Sequence, residues 1–327
     1  MSQSHMDDQA RLQENTGLPP NRNLKGRFGF GKNKRPRKDL QNGVGYIFLS
    51  PFVIGTILLT MFPILYSLYL SFTNYSMGGT PEWIGFGNYV HMFNNDAMFW
   101  QSMEVTFFYA GTAVPLRLIF ALFVAIILNK VIEMVGVYRT LLYLPSVVGG
   151  SVGVAIMWRQ LFGNEGAVNG VLSMLGLPTH SWLGDPNTAI WTLVILYGWQ
   201  FGSSMLIFLA GLRNIPTSFY EASAVDGARP IQQFFKITLP MLTPVILFNV
   251  IMQTIQGFMA FTPAYVVTAG DPINSTLLYI LYMYRQAFEY FNMGYAAALA
   301  WVMLVIIAIL TAIIFKSSQY WVHYEDK

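Results

Sequence analysis

No cysteine occurs anywhere in the 327 residues, which removes disulfides, thiol nucleophiles and cysteine-held metals together. Histidine is nearly as scarce: His5, His91, His180 and His323 lie far apart and show none of the spacing that metal sites use. Charge is the third shortage. Only 11% of residues are Asp, Glu, Lys or Arg, where a soluble domain of this size carries about a quarter. Acidic residues are missing from the interior of every long apolar run, because Glu104 precedes one, Glu133 lies between two and Glu289 precedes the last. A proton-driven carrier ordinarily needs a carboxylate there as a relay, so that class loses support, although sodium sites built from carbonyls escape the argument. A membrane-embedded enzyme has no Ser/His/Asp set, metal cluster or paired carboxylates to work with. The glycine-rich stretch Gly26–Asn33 stops one residue short of a nucleotide-binding P-loop: Asn33 stands where a magnesium-holding hydroxyl belongs, and no apolar strand precedes it. The chain is therefore expected to bind no nucleotide.

What remains is apolar. Hydrophobic residues make up 54% of the chain, gathered into runs near the length a bilayer demands. The runs predict an all-α, polytopic membrane protein with six spans near Tyr46–Phe72, Val105–Leu128, Leu141–Trp158, Ile190–Leu212, Met241–Val267 and Ala296–Phe315. Ahead of them, residues 1–42 form a basic tail holding Arg11, Arg22, Lys25, Arg27, Lys32, Lys34, Arg35, Arg37 and Lys38. Such a segment is expected to be disordered or to lie along anionic lipid. It is too long and polar for a signal peptide, so the first span should be retained. The six-span domain is read as residues 43–320.

Basic residues set the orientation. With the tail inside, Lys130 and Arg139 fall in an inner loop, Arg213, Arg229 and Lys236 in the next, and Lys316 and Lys327 at an inner C-terminus. The outer loops Thr73–Glu104 and Arg159–Ala189 hold only Arg159, at a span edge, and Arg285 alone sits in the third. This asymmetry follows the positive-inside rule and predicts both termini in the cytoplasm. The outer loops carry Glu82, Trp83, Asp96, Trp100, Glu165, Trp182 and Asp185. Most of these aromatics suit interfacial anchoring, and a minority could face a delivery protein.

Polar residues inside spans imply a partner or a pathway. Asn249, Gln253 and Gln256 stand at i, i+4 and i+7 on one helical face, and Tyr197, Gln200 and Ser204 stand at i, i+3 and i+7 on the fourth span. Amides hydrogen-bond hydroxyls, and rings such as Phe258, Phe261 and Tyr265 stack on pyranose faces, so these residues suit a sugar. The same residue types also pack spans against one another. Arg117 is the one basic residue well inside a predicted span, and a structural role suits it best.

The inner loop 213–240 is short, polar and well punctuated. Ser218 and Glu221 have capping-box spacing, Gly227 is placed to stop a helix, and Pro230 can open a second one. From Glu221 to Pro240 this loop resembles the one that marks membrane subunits of binding-protein-dependent ABC importers, E-A-A-x-x-x-G followed by I-x-L-P. Glu221, Ala222, Asp226, Gly227, Phe235, Ile237, Leu239 and Pro240 match, and Ser223 replaces the second alanine. Two further patterns agree: Trp158, Leu161, Phe162, Gly166, Asn169, Leu172 and Gly176 after the third span, and Arg139-Thr140 with Leu144-Pro145 ahead of it. The likeness covers Tyr46 to Phe315 and is greatest to the maltose-type, sugar-uptake branch.

The resemblance implies a six-helix type I ABC importer transmembrane domain in a bacterial or archaeal inner membrane. Its coupling helix would sit in a cleft of an ATPase, with Glu221 offering a carboxylate to a basic ATPase side chain. The implied partners are a second permease, two ATPase subunits that use ATP and magnesium, an extracytoplasmic sugar-binding protein, and membrane lipid; no nucleic acid is expected. A carrier or channel independent of nucleotide is the alternative, and it leaves the docking loop without a purpose.

Overall fold

A computed structural model describes residues 38–130 and 135–323 of the chain. Most of the basic tail, the whole Gly26–Asn33 stretch, His5, Glu133 and Lys327 lie outside the described residues. The chain divides into two compact units, Met1–Met61 and Phe62–Lys327. Within the first, helix Lys38–Thr56 contains Pro51, whose ring removes the N–H that would bond the carbonyl of Ile47. The Ser50 hydroxyl donates to that carbonyl instead, at 2.7 Å, so no acceptor is left bare in an apolar setting.

Among the described residues, four helices are long and apolar enough to cross a membrane: Gly45–Ser71, Ala97–Lys130, Thr243–Thr268 and Met293–Trp321. Two helix pairs pass the same test only together, Gly136–Val148 with Val152–Leu161 and Pro186–Trp199 with Gly202–Arg213, and they bend by 94° and 43°. Counting each bent pair as one span gives the six expected from sequence. The third and fourth of these spans are broken helices. In the third, Gly149 and Gly150 interrupt the helix and Ser151 caps the next, its hydroxyl accepting from the Val154 N–H at 3.3 Å. In the fourth, the hydroxyl of Ser146 enters the backbone ladder. It donates to the Gln200 carbonyl at 2.8 Å and accepts from the Ser203 N–H at 3.0 Å. Insertion of a side chain into the ladder is a recognised cause of a kink.

The core of the second unit lies where Ala97–Lys130 meets Pro186–Trp199, Gly202–Arg213 and Thr243–Phe258. Ala110, Ala113, Ala121 and Ala125 line the buried side of the long helix. Small residues there let neighbouring backbones approach closely, as membrane helices require. Two expected loop placements change. Arg139 lies inside helix Val135–Val148, and the stretch read as an outer loop up to Glu104 contains helix Gly87–Asn95 and the first turns of Ala97–Lys130.

Asp96 explains that early helix start. It is nearly buried, and its Oδ1 accepts from the Phe99 N–H at 3.0 Å, capping the long helix. Its Oδ2 accepts from the hydroxyls of Tyr282, at 2.6 Å, and Tyr295. One carboxylate therefore ties the second span to helix Tyr279–Tyr284 and to the last span. Asp96→Ala leaves two buried phenols and a helix N–H unsatisfied, and should destabilise the protein by about 2–4 kcal/mol. The thermal unfolding midpoint of the detergent-solubilised protein checks this; an unchanged midpoint would contradict the role.

Candidate functional site

The loop that follows the fourth span projects a mostly exposed helix, with Tyr220 alone of its apolar residues packed against the core. Thr217–Val225 has no buried residue, and Glu221, Ala222, Asp226 and Gly227 are all exposed, with Ser223 half-buried. Pro216 occupies the N-cap position and no side chain caps the helix. The capping box expected from Ser218 and Glu221 is therefore not formed, because the fixed φ of Pro216 starts the helix two residues earlier than that spacing requires. The Glu221 carboxylate makes no hydrogen bond within the chain among the described residues, so it stays available to a partner.

The stop is as the sequence predicts. Gly227 has φ +76°, a left-handed conformation that favours glycine. Its N–H donates to the Ala224 carbonyl at 3.0 Å, while the Ala228 N–H donates to Ser223 at 2.9 Å, the paired bonds of a Schellman turn. Pro230 opens the next helix, Pro230–Gln233, and the Arg229 N–H donates to Gln232 Oε1 at 2.8 Å. Polar bonds fasten the projection at its base: the Tyr220 hydroxyl with Thr238 Oγ1 at 2.9 Å, and Gln233 Nε2 to Ser223 Oγ at 2.9 Å. Pro240 is half-buried where the loop rejoins the span. Sequence reasoning passed over the exposed apolar side chains here, Phe219, Val225, Ile231 and Phe235; Val225 is 90% exposed. Apolar residues with nothing in the chain to cover them mark an interaction surface.

The residues proposed for the pathway separate into two groups. Tyr197, Ser204, Asn249, Gln253 and Phe258 are buried within the chain. The Tyr197 hydroxyl lies 2.9 Å from the Gln253 carbonyl and 3.0 Å from its Oε1, joining the fourth and fifth spans. Asn249 donates back to its own helix at Val245, and Gln200 donates to the Gly149 carbonyl at 3.0 Å. Phe258 packs edge-on against Phe107. Gln256 and Tyr265, by contrast, are exposed.

Tyr265 belongs to an aromatic ladder that the sequence did not reveal as a set. Phe261 and Tyr265 stack with centroids 5.2 Å apart, Tyr284 meets both at 4.9 and 5.3 Å, and Phe288 continues the row at 5.0 Å. Phe261, Tyr284 and Phe288 also line one wall of an apolar cleft of about 500 Å³. The i, i+4 spacing of Tyr284 and Phe288 was the available signal, but nothing local links it to Phe261 and Tyr265.

Arg117 is 4% exposed. Its guanidinium donates to Ser203 Oγ at 3.0 Å and sits over the Tyr197 ring, 4.6 Å from the centroid. No carboxylate among the described residues lies within ion-pair distance of it. The hydroxyl bond and the ring face hold this buried cation between the second and fourth spans.

Asn169 knots the segment between the third and fourth spans. It donates to the carbonyls of Asn164 and His180 and accepts from the His180 N–H and Trp182 Nε1. Beside it Asp185 caps helix Pro186–Trp199, accepting from the Asn187 N–H at 2.9 Å, and pairs with His180 at 3.2 Å. The Asn187 N–H is the main cause holding the Asp185 carboxyl below its ordinary range, with smaller help from His180. A carboxyl depressed on folding stabilises above its unfolded pKa of about 3.9, and that contribution is lost as pH falls through the folded value. Amide protection at Asn187–Ala189, taken relative to the intrinsic exchange rate at each pH, should accordingly fall on acidification below about pH 4, and Asp185→Asn should flatten this dependence. Equal acid sensitivity in the variant would contradict the assignment.

Comparison with known proteins agrees with this arrangement. Residues 105–323 match the family described as binding-protein-dependent transport system inner membrane component. The Bacillus subtilis (strain 168) protein named "Probable ABC transporter permease protein YesP" is 56% identical over 299 residues, covering 90% of this chain and 96% of that one. The lactose transport system permease protein LacF of Rhizobium radiobacter is 34% identical over 282 residues, covering 84% and 94%. The fold is similar to that of a chain in the crystal structure of a bacterial alginate ABC transporter in complex with its alginate pentasaccharide-bound periplasmic protein, with a TM-score of 0.75 at 21% identity over 86% of this chain and 96% of the other.

Proposed function

The chain belongs to the family of binding-protein-dependent transport system inner membrane components, and on that premise we propose that it is a permease subunit of an ATP-driven importer for a sugar or oligosaccharide. One observation carries the mechanical half of this reading: a projecting helix with no fully buried residue, anchored by Tyr220 at its base and held in shape by its own stop. Loops without a packing role tend to serve a partner. The matched family supports an ATPase as that partner, with Glu221, Ala222, Ser223, Asp226 and Gly227 in the contact and Pro240 marking the return to the membrane. Exposed Phe219, Val225, Ile231 and Phe235 would add apolar area to the same contact.

In this reading the chain hydrolyses nothing. Two ATPase subunits use ATP and magnesium below, and a second, homologous permease completes the pathway. The loop and both termini face the cytoplasm, and an extracytoplasmic binding protein docks at the opposite end, near the Asn169 knot. ATPase closure moves the projecting helix and so rocks the spans between two accesses.

The relatives named for lactose and alginate support a saccharide as cargo. A passing solute meets side chains at the surface of this chain, so Gln256, Tyr265 and the rest of the aromatic ladder are the contacts we assign to it. Tyr197, Gln200, Ser204, Asn249, Gln253 and Phe258 then shape the wall behind them. A proton-driven carrier would need a free buried carboxylate, and Asp96 is engaged by two hydroxyls and a helix N–H.

Gly227→Pro removes an N–H in use and forces φ from +76° to a negative value. The complex should assemble while substrate-stimulated ATP hydrolysis falls about tenfold or more; normal stimulation would count against coupling through this helix. Tyr265→Ala should slow saccharide uptake by vesicles about fivefold through loss of one stacking ring, with receptor-stimulated ATP hydrolysis retained. Wild-type uptake would remove the ladder from the pathway.

A further inference from the structure

The two breaks in the third and fourth spans are made by each other. Ser146, one turn before the first break, sends its hydroxyl into the ladder of the fourth span, where it satisfies both the Gln200 carbonyl and the Ser203 N–H. Gln200, at the second break, returns its side chain to the first, its Nε2 donating to the Gly149 carbonyl at 3.0 Å. Backbone groups freed by a break have no water to bond inside a membrane, so each span depends on the other for the bonds it lacks. The fit is close as well as reciprocal. A Cβ on Gly149 would fall 2.4 Å from Gln200 Cγ, and one on Gly202 would fall 2.7 Å from the Leu142 carbonyl and 2.8 Å from Ser146 Oγ. Ser203, the residue whose N–H Ser146 accepts, also receives the Arg117 guanidinium, which extends the joint to the second span.

The position of this joint gives it a task. Helix Gly202–Arg213 begins at the clasp and ends three residues before the projecting helix Thr217–Val225. Ile215 in that short link is buried, so the link is anchored rather than slack. We propose that Ser146 and Gln200 are positioning residues of the access switch: their reciprocal insertion fixes the two breaks together, so that displacement of the projecting helix passes through Gly202–Arg213 into both halves of the third span. This rests on the reading that an ATPase drives the projecting helix. Neither residue needs to touch the solute or the ATPase.

The test uses the complete transporter in proteoliposomes and reads saccharide imported per ATP hydrolysed. Ser146→Ala removes the shared hydroxyl, while Ser146→Thr keeps it. The alanine variant should assemble and hydrolyse ATP at the basal rate yet lose about tenfold in imported saccharide per ATP, the scale of one lost buried bond pair, and the threonine variant should recover most of that loss. A second readout exploits the absence of native cysteine: spin labels at Val147→Cys and Arg213→Cys, two exposed positions, report whether the broken spans move together. Their separation should be the same with and without trapped nucleotide when Ser146 is present, and nucleotide-dependent in Ser146→Ala. A wild-type ratio and an unchanging separation in Ser146→Ala overturn the proposal, as does a loss that threonine fails to rescue. If the unsubstituted chain brings no ATPase with it, the importer reading fails first and this inference with it.

Discussion

A polar backbone group inside a bilayer must find its partner within the protein, and this requirement governs the molecule from end to end. Where Pro51 removes a donor, Ser50 answers the orphaned carbonyl. Where the long second span begins, Asp96 accepts from the free N–H of Phe99 and from two phenols. Where the third and fourth spans break, each supplies the other's missing bond. Irregular backbone at membrane depth survives only when neighbouring protein covers it. The bends are therefore places where spans are committed to particular neighbours.

That commitment separates the parts that hold from the parts that act. Tyr197 against Gln253, and Arg117 against Ser203 and Tyr197, join spans through buried polar contacts, although Arg117 Nε keeps no partner. The projecting helix and the aromatic ladder spend almost nothing on the rest of the chain. One presents Glu221 with exposed apolar residues; the other presents stacked rings, with Tyr265 and Phe288 exposed. Free surface of two different chemistries fits a subunit that receives force at one place and guides a solute at another.

Much of this was legible in the sequence, and the division follows the range of the interactions. Gly227 and Pro230 were readable because a left-handed stop and an N1 proline are decided within a few residues. The six apolar runs were readable because a bilayer imposes length and composition on each one separately. Ser218 and Glu221 misled because their spacing is common and Pro216, just upstream, had already fixed where the helix begins. The bend at Gln200 had no local sign at all, since its cause is a hydroxyl 54 positions away. Gly149-Gly150-Ser151 did carry a signal for the other bend, hidden inside a run apolar enough to pass as one helix. The ladder joins residues from two separate segments, and Phe258, grouped with the sugar-facing rings on type alone, turns inward to Phe107.

Under the proposed function the chain is a passive element, moved by an ATPase that binds its projecting helix. The most direct measurement is accumulation of labelled saccharide in sealed vesicles holding the permease pair and binding protein, with the ATPase subunits either present or left out. Uphill accumulation that requires both the ATPase and ATP is the predicted result. Accumulation against a gradient by the permeases alone would contradict the account.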